Sequence, residues 1–96
     1  MNRELVIELL SNNKARLAEF GVASLRLFGS VGRNRAGPAS DVDLIVSFEG
    51  AATFDRYMGL KMFLEDLLGS RIDLVTDGAL RPELRPAIEQ EAIRVA

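Results

Sequence analysis

The chain of 96 residues contains no cysteine and no histidine, and both absences restrict its chemistry. Without cysteine it can form no disulfide, no thiolate nucleophile and no cysteine-ligated zinc site. Without histidine it lacks the commonest general base and the usual zinc ligand of proteins. Any catalysis must therefore rely on carboxylates and on a metal ion that they hold.

Long apolar runs and a strong excess of one charge are also missing. The chain has no run of about 18 apolar residues, as a membrane helix needs, and Arg3, Glu4 and Glu8 interrupt its N-terminal apolar pattern. We therefore expect a cytoplasmic protein that does not cross a membrane. The formal net charge is -2 and no basic stripe is interleaved with aromatic residues, which disfavours a nucleic-acid partner.

Apolar residues make up 48% of the chain, which is enough for one small core. No repeat, low-complexity tract or linker divides the sequence. We therefore expect a single domain over residues 1–96.

Apolar periodicity predicts helices and three strands. The predicted elements are a helix over 2–19, a strand over 24–28, a short helix from 30, a turn over 35–40, a strand over 42–48, a helix over 53–68, a strand over 72–76, and two helical turns opened by Pro82 and Pro86. Gly21 is expected to end the first helix, whereas Thr53 and Gly69 should cap the long one. The apolar run at 44–46 indicates a central strand covered on both faces. This order predicts an α+β fold, a small mixed β-sheet with helices packed against it.

The long helix is expected to have one apolar face. Its members are Phe54, Tyr57, Leu60, Leu64, Leu67 and Leu68. The arginines and glutamates that follow Leu80 are interpreted as a solvated helix face with i,i+4 ion pairs and no chemical role.

The strongest local pattern is a Gly29-Ser30 turn after an apolar strand, followed by Asp41 and Asp43 at the start of the next strand. Side chains two apart on a strand share a face, so these carboxylates should repel each other unless a cation lies between them. Mg²⁺ prefers oxygen ligands and is commonly held by carboxylates and substrate phosphates. A glycine turn that opens a helix is suited to bind those phosphates. The pattern therefore indicates a metal-dependent protein that binds a nucleoside triphosphate.

Other readings of these residues are open from the pattern alone. A Gly-Ser after a strand is often a plain turn, an Asp-x-Asp can cap a turn, and Asp73 could be a solvated residue at a strand edge. A Walker phosphate loop is excluded because no lysine occurs between Lys14 and Lys61. Ile45 and Ala52 would occupy ligand positions of an EF-hand, which excludes that site as well.

The combined spacing resembles the signature of the DNA polymerase beta type nucleotidyltransferase superfamily. The residues that carry the resemblance are Gly29-Ser30, Arg33, Ala36-Gly37-Pro38 and Ser40-Asp41-Val42-Asp43-Leu44. With its short length the chain is similar to the minimal nucleotidyltransferases (MNT), whose members often act as antitoxins beside a HEPN-domain ribonuclease.

The resemblance implies roles for individual side chains. Asp41 and Asp43 would bridge two Mg²⁺ ions, while Asp73 would hold the catalytic metal near the acceptor and take its proton. The residues that would bind the nucleotide are Gly29, Ser30 and Arg33. The sequence departs from the common family form at Gly32, Asn34 and Arg35, where the local charge becomes basic.

The resemblance also implies an activity, the transfer of AMP from ATP to a hydroxyl of a partner protein, with a tyrosine of a HEPN toxin as the expected acceptor. One alternative is an antitoxin that acts by stoichiometric docking with a vestigial metal site. Another is nucleotidylation of a small molecule. A homo-oligomer or hetero-oligomer is compatible with all three.

Overall fold

The computed structural model describes residues 3–28, 42–80 and 82–95. In chain order its elements are α1 (Arg3–Ser11), α2 (Lys14–Glu19), β1 (Val22–Phe28), β2 (Val42–Phe48), α3 (Phe54–Leu68), β3 (Ile72–Thr76), two 3-10 turns (Asp77–Ala79 and Pro82–Leu84), α4 (Arg85–Glu91) and β4 (Ile93–Arg94). The short helix predicted from residue 30 and the turn predicted over 35–40 lie outside the described residues.

The described strands form a mixed four-stranded sheet in the order β3-β2-β1-β4. Strand β1 is antiparallel to both β2 and β4, whereas β2 and β3 run parallel. A parallel pair needs a crossover, and α3 supplies it between β2 and β3. The predicted α+β class and the central position of β2 are confirmed.

The N-terminal helix is interrupted, contrary to the single helix predicted over 2–19. The break lies between α1 and α2, where Asn13 leaves helical geometry with φ -121° and ψ 23°. Its side-chain amide donates to the Leu9 carbonyl at 2.7 Å, and such local bonds compete with helix continuation. Gly21, with φ +81°, follows α2 as predicted.

Helix α3 begins and ends where the sequence predicts. The Thr53 side chain accepts a hydrogen bond from the Arg56 backbone N–H at 3.2 Å, and Gly69 adopts the left-handed conformation with φ 63°. Leu60 and Leu64 are fully buried, but Phe54 is 76% exposed, so its predicted place on the apolar face is wrong. Six residues of helix separate Phe54 from Leu60, which turns it about 120° away from the buried side.

The main core lies between one face of the sheet and helices α1, α2 and α3. Its buried members are Val6, Leu10, Leu17, Leu25, Leu27, Val42, Leu44, Val46, Leu60, Leu64, Leu68, Ile72, Leu74 and Val95. The C-terminal tail, for which the sequence predicts no element, contains strand β4. Directly after this strand, the Val95 N–H donates to the Leu25 carbonyl at 2.9 Å. No helix in the described parts of the chain is long and apolar enough to span a membrane.

Candidate active site

Asp43 and Asp73 occupy equivalent places on neighbouring strands. Each is the second residue of its strand, and the two are register partners in the parallel pair of β2 and β3. Phe28, the last residue of β1, is the register partner of Asp43 on the other side. Neighbouring strands lie about 4.8 Å apart, so the two carboxylates start from adjacent backbone positions.

The hydrophobic core determines which way these carboxylates point. Val42 and Leu44 flank Asp43 and are 0% and 1% exposed, and Ile72 and Leu74 flank Asp73 and are 2% and 3% exposed. Because successive side chains of a strand alternate between faces, Asp43 and Asp73 must project from the face opposite the main core. Asp43 is half-buried there and Asp73 is exposed.

The segment between β1 and β2, which carries the rest of the motif, begins and ends at this same edge of the sheet. Strand β1 ends at Phe28, β2 begins at Val42, and Phe28 pairs with Asp43. The predicted nucleotide-binding residues and the first carboxylate lie outside the described residues. They are Gly29, Ser30, Arg33 and Asp41. Their predicted roles stay predictions, while the chain path brings both ends of their segment to the carboxylate edge.

The donor set suits a hard divalent cation. Two carboxylates on one face provide the oxygen ligands that Mg²⁺ prefers, and a third would come from Asp41, two residues before Asp43. Within residues 3–28, 42–80 and 82–95 no group of three metal-ligating side chains occurs, so the described part of the site is the pair of Asp43 and Asp73.

An apolar hollow lies directly beside the two carboxylates, which we call the carboxylate pocket. Its volume is about 190 Å³. It is lined by Phe28, Asp43, Leu44, Ile45, Asp73, Val75, Leu80 and Ile88. A second hollow of about 270 Å³ lies at the opposite ends of β2 and β3, near Thr76 and Asp77. The carboxylate pocket is therefore the candidate site, because Asp43 and Asp73 line it.

An ion-pair network on the carboxylate face was missed by sequence reasoning. The Arg26 guanidinium donates to the Asp77 carboxylate at 2.7 Å, and Arg85 donates to the Asp77 carbonyl at 2.9 Å. Arg85 therefore ties α4 to the end of β3 and is not simply a solvated helix residue. The only charged residue of strand β1, Arg26, was the signal that a partner carboxylate is nearby.

Helix α4 contributes a wall of the carboxylate pocket, which sequence reasoning also missed. Ile88 is 5% exposed and reaches the sheet face that carries Asp43 and Asp73. Leu80, from the turn after β3, completes that wall. No local sequence signal marks Leu80 and Ile88 as neighbours of Asp43 and Asp73, because only the tertiary fold brings them together.

The chain matches known proteins over nearly its whole length. The nucleotidyltransferase domain family matches residues 8–95. Protein adenylyltransferase MntA of Thermococcus cleftensis is 36% identical over 93 residues, which are 96% of this chain and 94% of that protein. A solved structure provisionally described as a minimal nucleotidyltransferase has a TM-score of 0.85 and 39% identity, covering 97% of this chain and 95% of that one.

A more distant likeness concerns the fold alone. A chain from the solved complex of a tri-AMPylated Shewanella oneidensis HEPN toxin with an MNT antitoxin has a TM-score of 0.66 at 19% identity, covering 94% of this chain and 71% of that one.

Enzymes of the matched family generally use a nucleoside triphosphate and a divalent metal. Because the family match extends through nearly the whole sequence, this protein belongs to the nucleotidyltransferase domain family and is an enzyme of that class.

Proposed function

We propose that this nucleotidyltransferase transfers AMP from ATP to a tyrosine hydroxyl of a HEPN toxin and thereby silences it. The observation that carries the proposal is the in-register pair of Asp43 and Asp73 on the sheet face opposite the main core. A protein that only docks to its partner needs no such pair. The whole activity is assigned to one domain over residues 1–96, acting in the cytoplasm.

The reaction is an in-line displacement at the α phosphorus of ATP. The acceptor oxygen forms a bond to that phosphorus as the bond to the bridging oxygen of the β phosphate breaks, and pyrophosphate leaves. The acceptor proton passes to the Asp73 carboxylate, which lies on the exposed side of the pair. Two Mg²⁺ ions held by Asp41, Asp43 and Asp73 would neutralise charge on the attacking and leaving oxygens.

The triphosphate is assigned to the segment between β1 and β2. Gly29 would allow close approach of the backbone, Ser30 would offer its hydroxyl and amide, and Arg33 would bind phosphate oxygens with its guanidinium. This assignment is supported by the position of both segment ends beside Asp43.

The choice of a toxin as acceptor is supported by the relatives. The similar protein of Thermococcus cleftensis is named a protein adenylyltransferase, and a protein of similar fold occurs in a complex with a tri-AMPylated HEPN toxin. The competing proposal is an antitoxin that silences the toxin by docking alone.

Transfer of radiolabel from α-labelled ATP to a HEPN-domain toxin tests the proposal. Wild type should label the toxin in Mg²⁺, and Asp73→Asn should lower the rate by about 10²–10⁴-fold because the proton acceptor is lost. Asp66→Asn, at an exposed position of α3, is the matched control and should keep full activity. Toxin that stays unlabelled yet becomes inactive would establish docking instead.

A further inference from the structure

The carboxylate pocket has apolar walls that the main core does not explain. Ile45 and Ile88 are 3% and 5% exposed, yet neither belongs to the cluster packed between the sheet and α1, α2 and α3. Ile45 and Val75 are register partners two residues beyond Asp43 and Asp73, so they share the carboxylate face. Apolar side chains thus line the hollow directly next to the carboxylate edge.

We infer that the carboxylate pocket holds the aromatic ring of the acceptor, so that a phenol hydroxyl is presented to Asp43 and Asp73. This inference rests on the proposed function and names the feature of this chain that selects the acceptor. A cavity of about 150 Å³ lined by Leu, Ile and Phe is large enough to bind benzene. The pocket measures about 190 Å³ and has walls of the same kind, so it accommodates one six-membered ring.

The polarity of the walls favours a phenol over the other aromatic group in the reaction, the adenine of ATP. Among the described lining residues the only polar side chains are Asp43 and Asp73. Adenine has ring nitrogens and an amino group around its edge, and burying them against apolar walls would leave them without partners. A phenol has a single polar group, which can face the carboxylates while its ring contacts the walls.

The same walls argue against other hydroxyl acceptors. A serine or threonine side chain would leave most of the volume unfilled, so little apolar surface would be removed from water. A polyhydroxylated sugar would lose hydration at several hydroxyl groups without replacement partners. A tyrosine side chain satisfies both the shape and the polarity of the pocket.

Binding of p-cresol, which has the shape of a tyrosine side chain, tests the inference without any transfer step. In methyl-labelled protein, p-cresol should shift the resonances of Ile45, Val75, Leu80 and Ile88 in a saturable way. Adenosine should leave them unchanged. The inference is overturned if p-cresol shifts none of them, or if adenosine shifts them and displaces p-cresol.

Filling the pocket tests its role in transfer. Val75→Phe places a ring in the cavity at a half-buried strand position, where phenylalanine is well tolerated. We expect Mg-ATP affinity to be unchanged, the p-cresol shifts to disappear, and KM for an acetylated and amidated Gly-Tyr-Gly peptide to rise about tenfold or more. Ala23→Phe adds the same ring at an exposed position near the far end of β1 and should leave KM unchanged.

Failure of this inference differs from failure of the proposed function. If wild type transfers AMP and Val75→Phe does so with the same KM, the pocket does not hold the acceptor. If p-cresol binds as expected but wild type labels no tyrosine acceptor, the ring site stands and the proposed transfer is wrong. Should Val75→Phe not fold, Leu80→Phe fills the cavity from its outer wall and carries the same expectations.

Discussion

Asp43 and Asp73 are equivalent in register but not in surroundings. Asp43 is half-buried between β1 and β3, because its register partners are Phe28 on one side and Asp73 on the other. Asp73 is exposed and lies on an edge strand. Under the proposed function, the exposed Asp73 would meet the incoming acceptor, whereas the half-buried Asp43 would hold a metal in a fixed position.

Replacement of Asp73 by asparagine should leave the fold intact. The side chain is exposed and contributes no core packing, so the free energy of unfolding should change by no more than about 0.5 kcal/mol. Urea unfolding of the variant, compared with the control Asp66→Asn, measures this change. A loss of about 1–2 kcal/mol, as when a capping interaction is removed, would mean that Asp73 is a structural residue.

Binding of ATP should require a divalent cation. The triphosphate and the carboxylates of Asp43 and Asp73 are all negative and would repel one another at this edge of the sheet. Titration calorimetry in Mg²⁺ should show binding that disappears in chelator, and Asp43→Asn should weaken the Mg²⁺-dependent component. Equal ATP affinity with and without chelator would show that this edge is not a metal site.

Among the elements, α3 depends on its N-cap. Its first turn is held by the hydrogen bond that Thr53 accepts from the Arg56 N–H, and its buried side carries Leu60 and Leu64. Thr53→Ala should lower the free energy of unfolding by about 1 kcal/mol, with the urea midpoint lowered and the m value unchanged. Thr53→Ser keeps the oxygen and should remain within a few tenths of wild type. An equal loss in both variants would assign the effect to the threonine methyl group.

Elements with strong local signals could be predicted from the sequence. The bounds of β2 and β3 agree with the prediction because each is a short apolar run next to turn residues. Strand β4 was missed because its pairing with β1 joins residues more than sixty positions apart, as in the partners Arg26 and Arg94. The only local signal for strand β4 was the alternation of apolar and charged residues at Ile93, Arg94 and Val95.

At the scale of the whole molecule, packing of the core sets the geometry of the site. A slip of one residue in β2 and β3 would turn Val42, Leu44, Ile72 and Leu74 to the opposite face. Each of these buried side chains contributes about 1.5–3 kcal/mol, an upper estimate of the transfer free energy. Their sum, about 6–12 kcal/mol, exceeds the repulsion of about 4 kcal/mol between two unit charges about 4 Å apart near a protein surface, so the core keeps Asp43 and Asp73 side by side.

The candidate site could be predicted only in part for the same reason. Motif spacing pointed to the carboxylates, because Asp43 and Asp73 each stand at the start of an apolar strand. The walls of the carboxylate pocket could not be predicted, since Leu80 and Ile88 reach it through the chain path after β3 and through the bonds of Arg85 to Asp77. The carboxylates could be recognised from local sequence, whereas the pocket walls depend on tertiary structure.

Covalent modification of the toxin is the central proposal, and dose dependence measured with intact mass tests it most directly. One equivalent of the protein should inactivate a large excess of a HEPN toxin in ATP and Mg²⁺ and add one or more AMP units to it, since an enzyme turns over. The Asp73→Asn variant should fail at the same low dose. If wild type protects only at a full equivalent, with no mass added to the toxin and with Asp73→Asn equally effective, the protein acts by docking and the proposed transfer of AMP is wrong.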